Sequence, residues 1–124
     1  MLILKNKNYW GSIKHAIVGL VTAIKNEKIF KFYFINLLVF IPINIIVRLP
    51  LFGHLLCLVC AMGVLAAECF NTVAERICYF ITEEYNEKIK VIKDVAAAGV
   101  LCWGITFYVS EIALIISSIL LNNV

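Results

Sequence analysis

Two glutamates and an asparagine, Glu68, Asn71 and Glu75, stand at spacings i, i+3 and i+7 in the stretch AAECFNTVAERICYF. On an α-helix this spacing places all three side chains on one face. One carboxylate on such a face can accept a proton from a hydroxyl group, and a second can bind a hard cation through oxygen. A charge beside hydrocarbon is costly and marks a functional site by default, and Glu68 directly follows a long apolar run. The stretch therefore indicates chemistry at the edge of a membrane.

Three more charged residues join this group if helices bring them to the same level. Glu27 precedes the first apolar segment, and a tight hairpin of the first two segments would bring it level with Glu75, completing a two-carboxylate magnesium site. Lys93 and Asp94 precede the third segment, where a lysine can neutralise a transferred phosphate. By chemistry alone, the cluster fits a kinase, a transporter gate or a polar group that pairs helices.

The composition is that of an integral membrane protein. Of the 124 residues, 63% are hydrophobic and 15% are charged, whereas soluble domains carry about 25% charged residues. Each of three apolar segments approaches the roughly 20 residues that a helix needs to cross the hydrocarbon core. We therefore predict a single all-α membrane domain over residues 1–124, with transmembrane helices at about 31–48, 51–81 and 94–118.

Residues 10–26 are amphipathic, because Ile13, Ile17 and Leu20 recur at spacings of three and four. The pattern predicts a helix that lies in the membrane interface. Within the first span, Asn36 and Asn44 are expected to bond to a neighbouring helix. Glu111 is expected near the outer membrane surface, with the tail IALIISSILLNNV along or beyond that surface; the alternative is a buried functional acid.

The basic residues are unevenly distributed. Ten precede the first span or lie between the second and third, and only Arg48 lies in the other loop. The positive-inside rule then puts the N-terminus in the cytoplasm and the C-terminus outside. The anionic lipid surface is the simplest partner for the basic N-terminus, so no nucleic acid is expected. The five cysteines include Cys57-x-x-Cys60, but no second pair follows, so we interpret them as small apolar residues.

The motif Glu68-x-x-Asn71-Thr72-Val73-Ala74-Glu75, followed by Lys93-Asp94-Val95-Ala96-Ala97, resembles the signature of the small prokaryotic diacylglycerol kinases, a family that includes undecaprenol kinases. The similarity covers about residues 10–110. It implies a homotrimer of three-span subunits, each with an interfacial N-terminal helix. It further implies that the protein sits in the bacterial inner membrane and phosphorylates a membrane lipid hydroxyl with ATP and Mg²⁺.

The resemblance also implies roles for individual residues. Glu68 takes the position of the general base, with Asn71 beside it, and Glu27 and Glu75 take those of the magnesium carboxylates. Positions that match nucleotide contacts in the family are His15, Glu27, Glu75, Glu84, Tyr85, Asn86, Lys93 and Asp94. Positions that match lipid contacts are Glu68, Phe30 and Lys31.

Some positions depart from the family pattern. Tyr79 stands where the family usually has Asp, His15 where it has an aromatic residue, and Asn86 where His is common. Diacylglycerol is expected as the acceptor, and undecaprenol is the alternative, which the Lys-Asp-Val-Ala-Ala run favours. Two other hypotheses remain: a non-catalytic membrane protein in which Glu68 pairs helices, and a degenerate family member that binds lipid without turnover.

Overall fold

The computed structural model describes residues 9–122, and this part of the chain is entirely helical apart from short connections. The four helices are α1 (Tyr9–Asn26), α2 (Lys28–Ile46), α3 (Leu51–Ile81) and α4 (Glu87–Asn122). Helices α2, α3 and α4 are each long and apolar enough to cross a membrane. This confirms the prediction of an all-helical chain with three membrane helices.

Two helix boundaries differ from those predicted. Helix α2 is Lys28–Ile46 rather than 31–48, and α4 is Glu87–Asn122 rather than 94–118. The sequence predicts a loop for the charged segment before residue 94, but residues 87–93 form the first turns of α4. The Asn86 side-chain oxygen accepts hydrogen bonds from the backbone N–H groups of Lys88 and Ile89, at 3.0 and 3.3 Å. This N-cap satisfies donors that the first helical turn leaves without partners, so α4 begins there.

The connection between α2 and α3 is as tight as the sequence indicates. Helix α2 ends at Ile46 and α3 begins at Leu51, directly after Pro50. Arg48 adopts a positive φ of 55°, and the Leu49 N–H donates to the carbonyl of Asn44 at 3.0 Å. The left-handed conformation reverses the chain within a few residues, so α2 and α3 form a hairpin.

The core lies where α3 packs against α4. Cys60, Ala61 and Val64 of α3 are buried against Phe107 of α4, which meets Phe40 of α2 edge to face at a ring-centroid distance of 5.6 Å. Nearby, Gly63 lies under the indole ring of Trp103, which a Cβ at this position would overlap. A glycine is therefore required here for α3 and α4 to approach closely.

The far end of α4 corrects the prediction for the C-terminal tail. The residues after Glu111 continue as helix, and the Ser118 hydroxyl donates to the carbonyl of Val47 at 2.6 Å. The tail therefore packs beside the end of α2 as a continuation of α4 and is not a separate segment that lies along the surface; a position beyond the membrane surface stays a prediction. The predictions for the two asparagines of α2 have different outcomes. Asn36 donates to the Phe32 carbonyl of its own helix, so the prediction of a partner on another helix is wrong for Asn36. Asn44 donates to Glu111 on α4, as predicted.

Helix α1 stands apart from this core. None of its residues is buried, and its apolar side chains Ile13, Ile17, Leu20 and Val21 remain exposed. It contacts the start of the hairpin through α2. Its placement in the membrane interface stays a prediction.

Candidate active site

Glu68 and Asn71 project from the middle of α3 into the protein interior. Their side chains are 3% and 5% exposed. Glu68 Oε2 and Asn71 Oδ1 are buried and have no hydrogen-bond partner among residues 9–122. A buried acceptor without a donor costs about 1–3 kcal/mol, and more when it is charged. Such atoms fit a site in which a donor on a ligand completes the hydrogen bonding.

Two further carboxylates surround Glu68. Glu75 lies two turns along the same helix face and is half-buried. Glu27 occupies the position between α1 and α2, directly before the first residue of α2. Both lie close enough to the Glu68 carboxylate to interact with it electrostatically. The hairpin thus brings Glu27 and Glu75 within electrostatic range of Glu68, and the negative potential of these carboxylates attracts a cation.

An ion pair that was not predicted from the sequence joins Glu27 of this acidic group to Arg76. Arg76 Nη2 lies 2.8 Å from Glu27 Oε1, and no other ion pair occurs within residues 9–122. The Arg76 side chain is 60% exposed and that of Glu27 is 25% exposed. The sequence contains enough information to predict this ion pair, because a hairpin that brings Glu27 level with Glu75 also brings Glu27 within reach of Arg76, the residue after Glu75.

A cavity of about 530 Å³ adjoins the ion pair. Its walls come from two helices, with Ala16, Gly19 and Ala23 of α1 and Thr72 of α3, and the Glu27–Arg76 pair lies at its edge. The walls are largely apolar and the edge is charged. This combination suits an amphiphile or a nucleotide base whose charged end lies beside the acidic group.

A second cavity, of about 410 Å³, lies between the end of α3 and the start of α4. It contains the five loop and α4 residues predicted to contact a nucleotide: Glu84, Tyr85, Asn86, Lys93 and Asp94. The Tyr85 hydroxyl donates to a carboxylate oxygen of Glu87, and this hydrogen bond raises the pKa of Tyr85. We call this cavity the loop cleft.

Lys93 is one of two lysines that line the loop cleft, with Lys90, and its side chain contacts Tyr79. The Lys93 Nζ donates to the Tyr79 hydroxyl oxygen at 3.3 Å and lies 4.4 Å from the centroid of the Tyr79 ring. Tyr79 stands where the family pattern has a carboxylate. It contacts the lysine as a neutral hydrogen-bond acceptor and as a cation–π partner. Glu75 is also near enough to Lys93 to interact electrostatically, so it connects the loop cleft with the acidic group.

Comparison with known proteins identifies the family of this chain. Residues 14–117 match the sequence model of the family described as prokaryotic diacylglycerol kinase. The chain belongs to this family. Searches of the curated proteins and of the solved structures returned no significant match. Family members are membrane lipid kinases that use ATP as phosphoryl donor, so this chain is a membrane-embedded kinase of that kind.

The remaining predicted residues of the kinase do not converge on either cavity. His15 is exposed on α1, and Lys31 is exposed in the first turn of α2. Phe30 is fully buried, with 0% of its side chain exposed. Contacts of His15 with a nucleotide, and of Phe30 and Lys31 with a lipid, stay predictions.

The acidic group has a donor set that fits Mg²⁺. Within residues 9–122 no three His, Cys, Asp or Glu side chains converge as a metal site held by protein alone would require. Glu27 and Glu75 supply two carboxylates, and Mg²⁺ in kinase sites is typically bound by one or two carboxylates together with phosphate oxygens and water. The two carboxylates therefore match a metal ion that reaches the site with ATP.

Proposed function

We propose that this kinase transfers the γ-phosphoryl group of ATP to the hydroxyl group of a membrane lipid. Diacylglycerol is the proposed acceptor and undecaprenol is the alternative. The observation that carries the proposal is the buried pair Glu68 and Asn71, whose oxygens lack hydrogen-bond donors in the described part of the chain. A lipid hydroxyl is a donor of the right kind at the right place, beside a membrane helix.

Glu68 is the proposed base. Its carboxylate accepts the proton of the lipid hydroxyl, and the freed oxygen attacks the γ-phosphorus while the bond to the β-phosphate oxygen breaks. Asn71, nearly one turn further along α3, orients the hydroxyl through its amide. Because both side chains are almost fully buried, water has little access to compete with the lipid as acceptor.

The charges around Glu68 suit the phosphates of ATP. Glu27 and Glu75 would hold Mg²⁺, which neutralises charge on the phosphate oxygens when it is bound. Lys93 supplies a positive charge in the loop cleft, and the N-terminus of α4 adds the partial charge of the helix dipole. Glu84, Tyr85, Asn86 and Asp94 line the same cleft and are the proposed contacts to the rest of the nucleotide.

We further propose a homotrimer in the bacterial inner membrane, with the N-terminus cytoplasmic and the C-terminus outside. The charge asymmetry supports the orientation, which would put the loop cleft on the cytoplasmic side, where ATP is available. The many exposed apolar side chains along α2, α3 and α4 support burial in lipid or against other copies. Helix α1, with its exposed apolar side chains, would lie in the cytoplasmic interface.

The test is phosphate transfer from labelled MgATP by the purified protein in mixed micelles. Diacylglycerol and undecaprenol are offered separately, with Glu68→Gln as the variant and Glu68→Asp as its matched control. We expect label in one lipid, near-complete loss in the Gln variant, and partial activity in the Asp variant because a carboxylate remains. No label in either lipid from a folded wild-type protein, or full activity of Glu68→Gln, would contradict the proposal and favour a helix-pairing role.

One observation favours a second candidate, a family member that binds lipid without turnover. Tyr79 engages the Lys93 ammonium that phosphate binding requires. If this contact blocks catalysis, the wild type is inactive and Tyr79→Asp restores transfer. If Tyr79 merely positions the lysine, the wild type is active and this candidate is excluded.

A further inference from the structure

A second buried polar cluster lies well away from the kinase site. It joins Asn44 of α2 to Glu111 of α4, beside Cys57 of α3. Cys57 precedes Glu68 by three turns of the same helix, which separates the two sites by about 16 Å along the axis. The cluster therefore belongs neither to the acidic group nor to the loop cleft.

The two central side chains are almost completely buried and only partly satisfied. Glu111 is 1% exposed and Asn44 is 3% exposed. Asn44 Nδ2 donates to Glu111 Oε2 at 3.0 Å. A reversed amide would set two oxygens against each other, so the carboxylate fixes the amide orientation. Glu111 Oε1 and Asn44 Oδ1 then accept no hydrogen bond from a nitrogen or oxygen donor among residues 9–122, and the Cys57 thiol beside the Glu111 carboxylate is only a weak donor.

Both side chains line a cavity of about 220 Å³, which also borders on His54 and Cys57. A water molecule occupies about 30 Å³ in the liquid, so the cavity has room for a small ion with some of its hydration water. The rest of the lining is apolar and includes Leu37 and Phe40. The cavity thus offers two oxygen acceptors in an otherwise apolar environment.

The negative charge of Glu111 determines which kind of ligand suits this cavity. No Lys, Arg or His side chain forms an ion pair with Glu111 in the described part of the chain. A buried carboxylate without a counter-charge is strongly disfavoured in a membrane. One monovalent cation cancels its single charge, whereas a divalent cation would leave a net positive charge. A soft metal ion is disfavoured as well, because the described residues contain no converging group of three His, Cys or acidic side chains.

We propose that this cavity binds one small alkali cation, of the sodium type, through Glu111 Oε1 and Asn44 Oδ1, with water completing its coordination. Hard monovalent ions prefer such carboxylate and amide oxygens. The bound ion ties α2 to α4 beside α3 and stabilises the membrane bundle. The site is independent of phosphoryl transfer, and its test does not depend on the acceptor lipid.

The experiment is equilibrium binding of ²²Na⁺ to the full-length protein in detergent, together with its thermal midpoint followed by tryptophan fluorescence. Midpoints are compared in NaCl, KCl and choline chloride at equal ionic strength. The proposal predicts one saturable Na⁺ per chain and a midpoint that rises with the logarithm of NaCl concentration but not with choline chloride. Glu111→Gln, which keeps shape and hydrogen bonding to Asn44, should lose both effects.

Two further variants keep the result interpretable. Asn44→Ser shortens one ligand and should weaken Na⁺ binding without abolishing it, even if Glu111→Gln fails to fold. Glu83→Gln removes an exposed carboxylate from the α3–α4 loop and should leave Na⁺ binding unchanged. Equal midpoints in NaCl and choline chloride, with no saturable ²²Na⁺ in the wild type, would overturn the proposal.

Discussion

The ion pair between Arg76 and Glu27 makes a quantitative prediction about magnesium. In the structure the guanidinium engages a carboxylate that we propose as a metal ligand, with Nη2 and Oε1 2.8 Å apart. Magnesium must therefore compete with Arg76 for Glu27. We expect Arg76→Ala to lower the free Mg²⁺ concentration at which transfer is half-maximal.

The exposure of the pair sets the size of this effect. Arg76 is 60% exposed and Glu27 is 25% exposed, so solvent screens the interaction. Exposed ion pairs contribute about 0.2–1 kcal/mol. If breaking the ion pair no longer opposes Mg²⁺ binding, the free Mg²⁺ concentration at half-maximal transfer falls by a factor of about 1.4 to 5. This follows because about 1.4 kcal/mol corresponds to a tenfold change in a binding constant. Loss of the nearby positive charge acts in the same direction, so the upper part of this range is expected.

The assay is phosphate transfer at saturating, fixed ATP with free Mg²⁺ varied above the ATP concentration. Arg76→Lys is the matched control, because it keeps the charge and should shift the midpoint less. Glu27→Gln should raise the midpoint, since it removes a proposed ligand. A midpoint in Arg76→Ala that is unchanged or higher, with a fall in maximal rate, would refute competition and indicate that Arg76 contacts phosphate.

Three further predictions concern packing, the turn and the loop cleft. Gly63→Ala should destabilise the fold by about 1–3 kcal/mol because its Cβ meets the ring of Trp103. Gly99→Ala is the control and should be neutral or stabilising, because a Cβ at this position meets no neighbouring atom within 4 Å. Thermal unfolding in detergent compares the two variants. Arg48→Gly should stabilise the fold by about 1 kcal/mol in the same assay, because φ is 55° there, and an Ala substitution should not. Tyr79→Phe removes one hydrogen bond to the cleft lysine and should raise KM for MgATP about two- to tenfold, as measured by initial rates; an unchanged KM would show that the hydroxyl has no positioning role.

The helices and the acidic group were accessible from sequence because they depend on patterns that tertiary packing does not overrule. Apolar length predicted three membrane helices, and the i, i+3, i+7 spacing placed Glu68 and Asn71 on one face, where the structure buries them together. The start of α4 was missed because charged residues resemble a loop in composition. The N-cap at Asn86 was the local signal that decides the boundary.

Side-chain partners were far less accessible. The sequence predicted that Asn36 and Asn44 would each bond to another helix, but only Asn44 does so, since Asn36 finds the carbonyl of Phe32 within its own helix. Both outcomes satisfy the amide, and the choice depends on which face of α2 meets α4. That rotation is not encoded in hydropathy, because the apolar residues of α2 surround it on all sides.

The surroundings of the two buried glutamates, Glu68 and Glu111, differ and indicate different roles, although the two residues are of the same type and are buried to a similar extent. Glu68 and Glu111 are both nearly inaccessible and each carries an oxygen without a donor. Glu68 has two further carboxylates nearby, and Glu75 links it electrostatically to Lys93 in the loop cleft, so its surroundings suit a polyanionic substrate that brings a metal ion. Glu111 has one amide partner and no second acid in its cavity, so its surroundings suit neutralisation by a single positive charge. We therefore propose that different ligands offset a similar cost of burial at the two sites, and we expect Glu68→Gln to abolish phosphoryl transfer and Glu111→Gln to abolish cation binding.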